Sequence, residues 1–280
     1  MTDLLALLWG TLRLRPYVFA FLAAHGWSAV RALGARRAAA LTGIVWAVAF
    51  AAEWTSTRAG FPFGPYVYTE ATRGQELFLS NVPFMDSLSF TFLAWASYAL
   101  ALTILRPQDA AAQGRRGAGA QGLVVGFRTA PGTLAVAVAA FVLIDVIIDP
   151  LAVRGDRWFL GKIFEYPNGG AYFGVPPSNF GGWAVVGALG FALYAALDRR
   201  WEARGRPLPA PGAAALPWGA ALWFAVAAFN LLITFAIGEV ALGFAGLTIA
   251  GTLAALVRAP LAEALPGRAA RAWGGETSHP

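Results

Sequence analysis

Seven apolar stretches run through the chain, and each is about as long as a bilayer is thick. They cover residues 16–34, 38–56, 83–105, 132–152, 179–198, 216–236 and 240–258. Because a spanning helix needs about 20 apolar residues, the pattern predicts an all-α integral membrane protein, a bundle of about seven transmembrane helices. Residues 1–15 carry a shorter apolar segment. It is expected to be either an interfacial segment or an extension of the first span that breaks near Pro16.

The composition supports a membrane protein built as one unit. Hydrophobic residues make up 58% of the 280 positions and charged residues 13%, against about 25% charged residues in soluble domains. The loops are too short for a second domain, so residues 1–280 are predicted to form a single transmembrane domain that ends in a cytoplasmic tail, 259–280. The absence of cysteine excludes disulfides and thiolate metal sites, and two histidines are too few for a histidine metal cluster.

The arginines predict the orientation. Loops that follow the first, third, fifth and seventh spans hold 14 basic residues, and the remaining segments hold 7. The positive-inside rule then places the chain in the cell membrane with its N-terminus outside and its C-terminus in the cytoplasm, although Arg13 and Arg15 lie on the side that this rule disfavours. Basic residues at loop ends indicate topology, so membrane lipids are expected as partners and nucleic acid is not.

The two longest loops on the predicted non-cytoplasmic side are rich in aromatic residues, glycine and proline. They cover residues 57–82 and 153–178. Non-helical backbone at membrane depth persists only where protein buries it or where it lines a cavity. These loops are therefore expected to be ordered and folded over the mouth of the bundle.

Five carboxylates lie inside or at the ends of the apolar stretches, all on the predicted non-cytoplasmic side: Glu53, Asp86, Asp145, Asp149 and Glu239. Each costs about 2.5–3.5 kcal/mol at the bilayer centre on insertion scales. Asp145 and Asp149 are four residues apart and so share one helix face. Two explanations stay open for each acid, a helix cap or a pairing with an arginine such as Arg154 or Arg157. For the five together, a shared polar cavity is favoured.

Two longer motifs carry a family resemblance. The first joins Glu53-Trp54 to the run Gly60-Phe61-Pro62-Phe63-Gly64-Pro65-Tyr66-Val67-Tyr68, and the second joins Asp149-Pro150 to residues 170–183, GAYFGVPPSNFGGW. Over roughly residues 40–200 the chain resembles the CruF-type carotenoid 1,2-hydratases. The resemblance implies cofactor-free addition of water across the terminal C1–C2 double bond of an acyclic carotenoid, such as lycopene, γ-carotene or a bisanhydrobacterioruberin-like chain. Residues 74–83 depart from the expected approach to the third span, which leaves the role of Asp86 open.

Hydration of an isolated alkene explains why such a site would need several acids. A carboxyl group that is desolvated, or that lies beside another carboxylate, can keep its proton near neutral pH. Its proton adds to C2, water attacks the tertiary cation at C1, and a second carboxylate accepts the proton of that water. Asp149 or Glu53 is the predicted acid, Asp145 or Glu239 the predicted partner that binds water, and Asp86 a fifth candidate.

Aromatic faces can stabilise the cation. The predicted substrate-binding residues are Trp54, Phe61, Phe63, Tyr66, Tyr68, Trp158, Tyr172, Phe173 and Trp183, with Asn179 positioning water or a carboxylate. The substrate is expected to enter from the bilayer, and other carotenoid-biosynthesis enzymes are possible partners.

Several other classes of membrane protein could use the same residues. A membrane carotenoid cyclase would use the same initial protonation. A polyprenyl transferase would use Asp145 and Asp149 to hold a Mg²⁺–diphosphate, but no companion motif is present and the acids lie on the wrong side for a cytoplasmic donor. A proton-coupled carrier or a carotenoid-binding protein needs no reaction at all. A retinal protein is disfavoured because the single lysine, Lys162, lies in a loop.

Overall fold

The structure, a computed structural model, is helical through most of the residues it describes, which are 4–105, 123–208 and 212–264. The helices are α1 (Leu4–Leu14), α2 (Pro16–Leu33), α3 (Ala35–Ala59), α4 (Phe84–Leu105), the short α5 (Val125–Arg128), α6 (Pro131–Ala152), α7 (Pro177–Ala203), α8 (Leu216–Ala236) and α9 (Val240–Ala264). Within these residues, α3, α4, α6, α7, α8 and α9 are long and apolar enough to cross a membrane. The predicted all-α integral membrane bundle is confirmed. Most of the predicted tail lies outside the described residues.

The first predicted span is a broken pair of helices. Helices α1 and α2 are apolar enough to count together as one span, but the chain bends by 91° between them at Arg15. Pro16 begins α2, where its missing N–H costs no hydrogen bond. The break therefore falls where Pro16 predicts it, and α1 exposes Leu5 and Trp9. An interfacial position for α1 stays a prediction.

Helix α4 is the centre of the bundle. It packs against α2, α3, α6 and α8, and 83% of its most apolar stretch is buried. A helix that is apolar on all sides is typical of a protein core or a membrane span, and α4 is surrounded by other helices. Because α4 is central, the residue at its beginning, Asp86, lies among the ends of its neighbours.

Two loops cover one end of the bundle, and we call it the site end. Loop A (residues 60–83) follows α3, and loop B (residues 153–176) follows α6. Strand β1 (Val67–Tyr68) of loop A pairs antiparallel with β4 (Phe164–Glu165) of loop B, and β2 (Phe78–Leu79) pairs with β3 (Val82–Pro83) inside loop A. The pairing of β1 with β4 holds the two aromatic loops together above the helix ends.

A buried ion pair fixes the α1–α2 break to both loops. The Arg15 guanidinium lies 3.0 Å from the Glu76 carboxylate of loop A and donates to the Leu160 carbonyl oxygen of loop B at 2.5 Å. Both charged side chains are buried. Because each charge has its partner, the pair can be buried without an isolated ion. The start of α2 is thereby held against the cover of the site end.

The opposite end carries a separate ion network. Arg37 of α3 and Arg128 of α5 both bind the Asp198 carboxylate of α7, with N–O distances of 2.6 Å. Glu202 pairs with the same two arginines. These four residues join three helices and neutralise one another. They are therefore a structural feature, distant in the fold from the acids of the site end.

Candidate active site

The first half of the candidate site is a chain of hydroxyl and carboxyl groups at the ends of α3 and α4. The Tyr68 hydroxyl donates to Asp86 Oδ2 at 2.7 Å and lies 3.2 Å from Glu53 Oε1. The Tyr66 hydroxyl donates to the Tyr68 oxygen at 3.3 Å. Among the described residues, Glu53 Oε2 is buried and has no hydrogen-bond partner. Tyr68 of loop A therefore connects two acids from different helices.

The second half joins α6 to α7. The Asn179 amide nitrogen donates to Asp145 Oδ2 at 2.8 Å and to Asp149 Oδ2 at 2.9 Å. The Tyr166 hydroxyl of loop B donates to the same Asp149 oxygen at 2.7 Å. Asp145 Oδ1 is buried and lacks a partner within the described part of the chain. The two aspartates do share one helix face, and Asn179 bridges them.

These four acids differ from Glu70, Glu76, Glu165 and Glu239 of the site end, each of which has an arginine or lysine partner. Glu53, Asp145 and Asp149 are buried and Asp86 is half-buried. In residues 4–105, 123–208 and 212–264, no arginine, lysine or histidine forms an ion pair with any of the four. Their partners are neutral hydroxyl and amide groups. An arrangement that serves only stability would pair such charges.

The tyrosines of the loops are held as proton donors. Burial, followed by the charges of Asp86 and Glu53, raises the pKa of Tyr68 well above its ordinary value. Burial and the neighbouring Asp149 likewise raise the pKa of Tyr166. Both hydroxyls therefore keep their hydrogen across the physiological pH range, and both donate to a carboxylate.

Two neighbouring cavities meet at these acids. The larger has a volume of about 100 Å³ and an apolar lining drawn mainly from α2, α4, α8 and loop B. The smaller has a volume of about 40 Å³, and it is lined by Glu53, Asp86, Asp149, Asn179, Tyr66, Tyr68 and Tyr166 together with four aromatic hydrocarbon or indole rings. Asp86, Asp149, Phe90, Phe164 and Trp183 line both cavities. Two carboxylates thus lie between an apolar space and a smaller, more polar one.

The structure brings together part of the predicted aromatic set. Phe63, Tyr66, Tyr68 and Trp183 line the smaller cavity, and Trp158 and Trp183 line the larger. Trp54 and Phe61 are 41% and 66% exposed, and the Arg58 guanidinium lies over the Trp54 ring. Tyr172 and Phe173 contact each other in loop B. These last four residues line neither cavity.

Glu239 is placed apart from the other acids. It precedes α9, forms an ion pair with Arg154 at 3.1 Å and contacts Arg157. Burial acts to raise the pKa of Glu239, but the hydrogen bonds and charges of Arg157 and Arg154 outweigh it and lower the pKa. Arg154 also donates to the Phe173 carbonyl oxygen of loop B at 2.7 Å. Glu239 is thus part of an ion cluster that joins α9 to loop B.

Sequence reasoning did not select three residues that complete the site. Tyr166 holds Asp149, and Phe164 and Phe90 line both cavities. The two loop residues lie in an aromatic segment that was recognised, but only the pairing of β1 with β4 brings them to the acids. Phe90 lies one turn after Asp86 on α4, and that spacing is a signal that could have identified it.

The fold and the site together define an integral membrane protein with carboxyl groups beside an apolar cavity, and these groups form no ion pair within the part of the chain that the structure describes. The carotenoid biosynthesis protein family matches residues 14–257, and the chain belongs to this family. A bisanhydrobacterioruberin hydratase of Haloarcula japonica is 28% identical over 147 residues. That match covers 51% of this chain and 39% of the hydratase, so the chain spans well under two thirds of the relative's length. No solved structure matches the chain.

Proposed function

We propose that the protein is a carotenoid hydratase that adds water across the terminal C1–C2 double bond of an acyclic carotenoid end. Membership of the carotenoid biosynthesis family and the distant hydratase relative support the substrate class and the reaction type. The observation that carries the proposal is the position of Asp86 and Asp149 between an apolar and a polar cavity. A hydratase needs carboxyl groups that contact both a hydrocarbon and water.

The cavities suit the two reactants. The larger cavity has room for the end of a chain rather than for a whole carotenoid, and its apolar lining matches an isoprenoid end. The smaller cavity, at about 40 Å³, has room for more than one water, since one water occupies about 10–15 Å³ by a comparable measure. Its polar lining supplies the hydrogen-bond partners that a buried water requires.

The hydrogen-bond chain favours Glu53, Tyr68 and Asp86 as the proton-donating side. A tyrosine hydroxyl has one hydrogen. The shorter of the two Tyr68 contacts, 2.7 Å to Asp86, indicates that this hydrogen is donated to Asp86. The 3.2 Å contact of the Tyr68 oxygen with Glu53 is then a hydrogen bond only if Glu53 itself carries a proton. A proton on Glu53 can pass through Tyr68 to Asp86, the member of this chain that lines the apolar cavity.

In the proposed mechanism, a proton passes from Asp86 to the substrate and returns from water to the acids of the site. The Asp86 carboxyl group gives its proton to C2, and the electron pair of the double bond forms the new C–H bond. The cation left at C1 accepts the oxygen of a water held in the smaller cavity. That water gives a proton to Asp149, which Tyr166 and Asn179 hold in place. The proton returns to Glu53 through the waters of the polar cavity, so no cofactor is consumed.

Aromatic rings around the two cavities stabilise the intermediate. Phe90 and Trp183 stack with ring centroids 4.2 Å apart, and both line the two cavities. The face of an aromatic ring attracts a cation, by about 2 kcal/mol or more where water is excluded. The rings also limit access of water to the apolar side, which leaves the smaller cavity as the source of the nucleophile.

Co-expression in a lycopene-producing bacterium tests the proposal. Pigments are separated by liquid chromatography and weighed by mass spectrometry, with cells grown in water carrying heavy oxygen. The expected product gains one water per hydrated end, carries the heavy oxygen and keeps the polyene absorption spectrum. A product of unchanged mass would show a cyclase and contradict the proposal.

Amide variants then test the residues. Glu53→Gln, Asp86→Asn and Asp149→Asn are each expected to lower the rate by about 10²- to 10⁴-fold, the usual contribution of a general acid or base. Asp145→Asn tests the acid that contacts Asn179 but lines neither cavity. Glu239→Gln is the matched control, since its carboxylate belongs to an ion cluster. Full activity in all four site variants would refute the assignment.

A further inference from the structure

The aromatic residues that line the larger cavity fall into two groups. Phe90, Phe92, Phe164 and Trp183 are buried, whereas Tyr17, Phe21, Trp158 and Phe229 are half-buried. The half-buried group comes from α2, α8 and loop B. The cavity is therefore flanked by buried rings of α4, α7 and loop B on one side and by partly exposed rings on the other.

The half-buried rings form one continuous cluster. The Phe229 ring stacks on Tyr17 with centroids 5.2 Å apart and meets Phe21 edge-on at 5.7 Å. Phe159 contacts Tyr17 at 5.7 Å and Trp158 at 4.9 Å, and 64% of its surface is exposed. Phe159 thus lies on the outside of the cluster. We name this cluster, Tyr17, Phe21, Trp158, Phe159 and Phe229, the aromatic mouth.

The aromatic mouth extends from loop B at the site end into the apolar zone of the bundle. Phe229 is seven residues before Ala236, the last residue of α8, which places it about 10 Å below the helix end at 1.5 Å per residue. Phe21 lies one turn into α2. On the same helix as Phe229, Leu232 is 72% exposed, as a residue that faces lipid would be. At Phe229 and Phe21 the mouth therefore faces lipid tails rather than water.

From this geometry we infer that the aromatic mouth is the lateral entrance through which an acyclic polyene end passes from the bilayer to Asp86 and Asp149. The inference rests on the proposed function for the identity of the ligand, a carotenoid. A cavity that holds only a chain end leaves the remainder of the polyene between α2 and α8, in contact with lipid. Aromatic rings suit this passage because they pack flat against a slender conjugated chain. Entry in this manner favours a slender acyclic end over a bulky ring.

The chain has no cysteine, so a single introduced thiol can close the entrance reversibly. Phe159→Cys places a thiol at the outside of the aromatic mouth, in loop B. Val240→Cys is the matched control, because Val240 lies at the same end of the bundle, is 52% exposed and lines neither cavity. Each variant, in lipid nanodiscs, is treated with a bulky reagent that forms a mixed disulfide and is later removed with a reductant. The readouts are lycopene retained after detergent extraction and hydrated product formed.

Modification of Phe159→Cys is expected to lower retained lycopene by about tenfold, equivalent to about 1.4 kcal/mol, and reduction is expected to restore it. Modified Val240→Cys should retain lycopene as before. Recovery on reduction shows that the protein stayed folded. Equal retention before and after modification of Phe159→Cys would overturn the entrance, and so would an equal loss in both variants.

The two readouts separate this inference from the proposed function. If modification of Phe159→Cys lowered the retained lycopene but no hydrated product formed, the entrance would be supported and the hydratase refuted. If the amount of hydrated product did not change on modification of Phe159→Cys, the hydratase would be supported and the entrance refuted. If unmodified protein retained neither lycopene nor γ-carotene, the entrance would be refuted, and the product assay would still decide the function.

Discussion

At the scale of single residues, the Tyr68 hydroxyl is the group on which the proton-donating side depends. It contacts both Glu53 and Asp86, which come from different helices. Hydrogen bonds to charged groups contribute about 1.5–3 kcal/mol. Tyr68→Phe is therefore expected to lower the rate of water addition by about 10- to 100-fold, with a smaller effect on substrate retention.

The control for Tyr68→Phe is Tyr98→Phe. The Tyr98 hydroxyl is also buried, but it donates to the Arg128 carbonyl oxygen near the opposite end of the bundle. Both variants remove a buried hydroxyl with its hydrogen bonds, so both are expected to lower the unfolding temperature, and only Tyr68→Phe is expected to lower turnover. An equal effect of both variants on turnover would show that Tyr68 acts through stability alone.

The Glu239 ion cluster predicts a pH dependence of stability. The pKa of Glu239 is lowered in the folded protein, since Arg157 and Arg154 outweigh the effect of burial. A carboxylate with a lowered pKa stabilises the folded state above its ordinary pKa of about 4.3, and the contribution is lost as the pH falls through the folded value. The wild type is therefore expected to unfold at a higher temperature than Glu239→Gln near pH 7.

Thermal unfolding in detergent at a series of pH values measures this difference. The difference in unfolding temperature between wild type and Glu239→Gln is expected to disappear as the pH falls below about 4. Turnover near neutral pH should be retained by the variant, because Glu239 lines neither cavity. A gap that stayed constant down to low pH would show that the glutamate acts through packing rather than through its charge.

The cost of placing a charged side chain in an apolar helix determined how much of the site could be predicted from the sequence. An acid in an apolar helix is costly, and this cost alone singled out Glu53, Asp145 and Asp149. Sequence position could not separate them from Glu239, because all lie near helix ends on the same side. Only the folded loops show that Arg154 and Arg157 reach Glu239, whereas Glu53, Asp145 and Asp149 form no ion pair with any described residue.

At the scale of secondary-structure elements, a close approach of loop A to α7 supports the site. A methyl group added at Gly182 would lie 2.8 Å from the Phe63 Cα and 2.9 Å from its backbone nitrogen. Backbone atoms cannot move aside as a flexible side chain can. Gly182→Ala is therefore expected to destabilise the protein by about 1–3 kcal/mol, the usual cost of overpacking, and to displace Phe63 from the smaller cavity.

The adjacent glycine provides a matched control for Gly182→Ala. A methyl group added at Gly181 would meet nothing within 4 Å, so Gly181→Ala is expected to be neutral or to stabilise α7 by up to about 1 kcal/mol. Unfolding temperature and turnover of both variants test the contact. Equal unfolding temperatures would contradict the packing of loop A on α7.

The elements themselves were predictable to different degrees. Apolar length alone located α2, α3, α4 and α6 to α9, with ends within about six residues, because the bilayer selects long apolar segments. It did not indicate the short α5. The strands that join the loops are two residues long, too short for an alternating pattern to be recognised. Their pairing depends on contacts between residues almost 100 positions apart, which no local pattern encodes.

At the scale of the whole molecule, orientation decides which compartment the site end faces. The counts of 14 and 7 basic residues on the two sides of the membrane predict that the site end faces away from the cytoplasm. Arg15 opposes this count, but its charge is buried against Glu76. A neutralised pair contributes less to the basic character of its side than a free arginine does.

Two introduced thiols test this orientation in intact cells, because the native chain has no cysteine. Ala71→Cys places an exposed thiol in loop A at the site end, and Ala203→Cys places one at the end of α7 on the opposite side. A membrane-impermeant maleimide is expected to label Ala71→Cys in spheroplasts and to label Ala203→Cys only after the cells are opened. The two alanine positions are alike in exposure class, so the difference reports the side of the membrane. The reverse labelling pattern would place the carboxylates on the cytoplasmic side, where diphosphate substrates are available, and the argument against a prenyl transferase from their location would no longer hold.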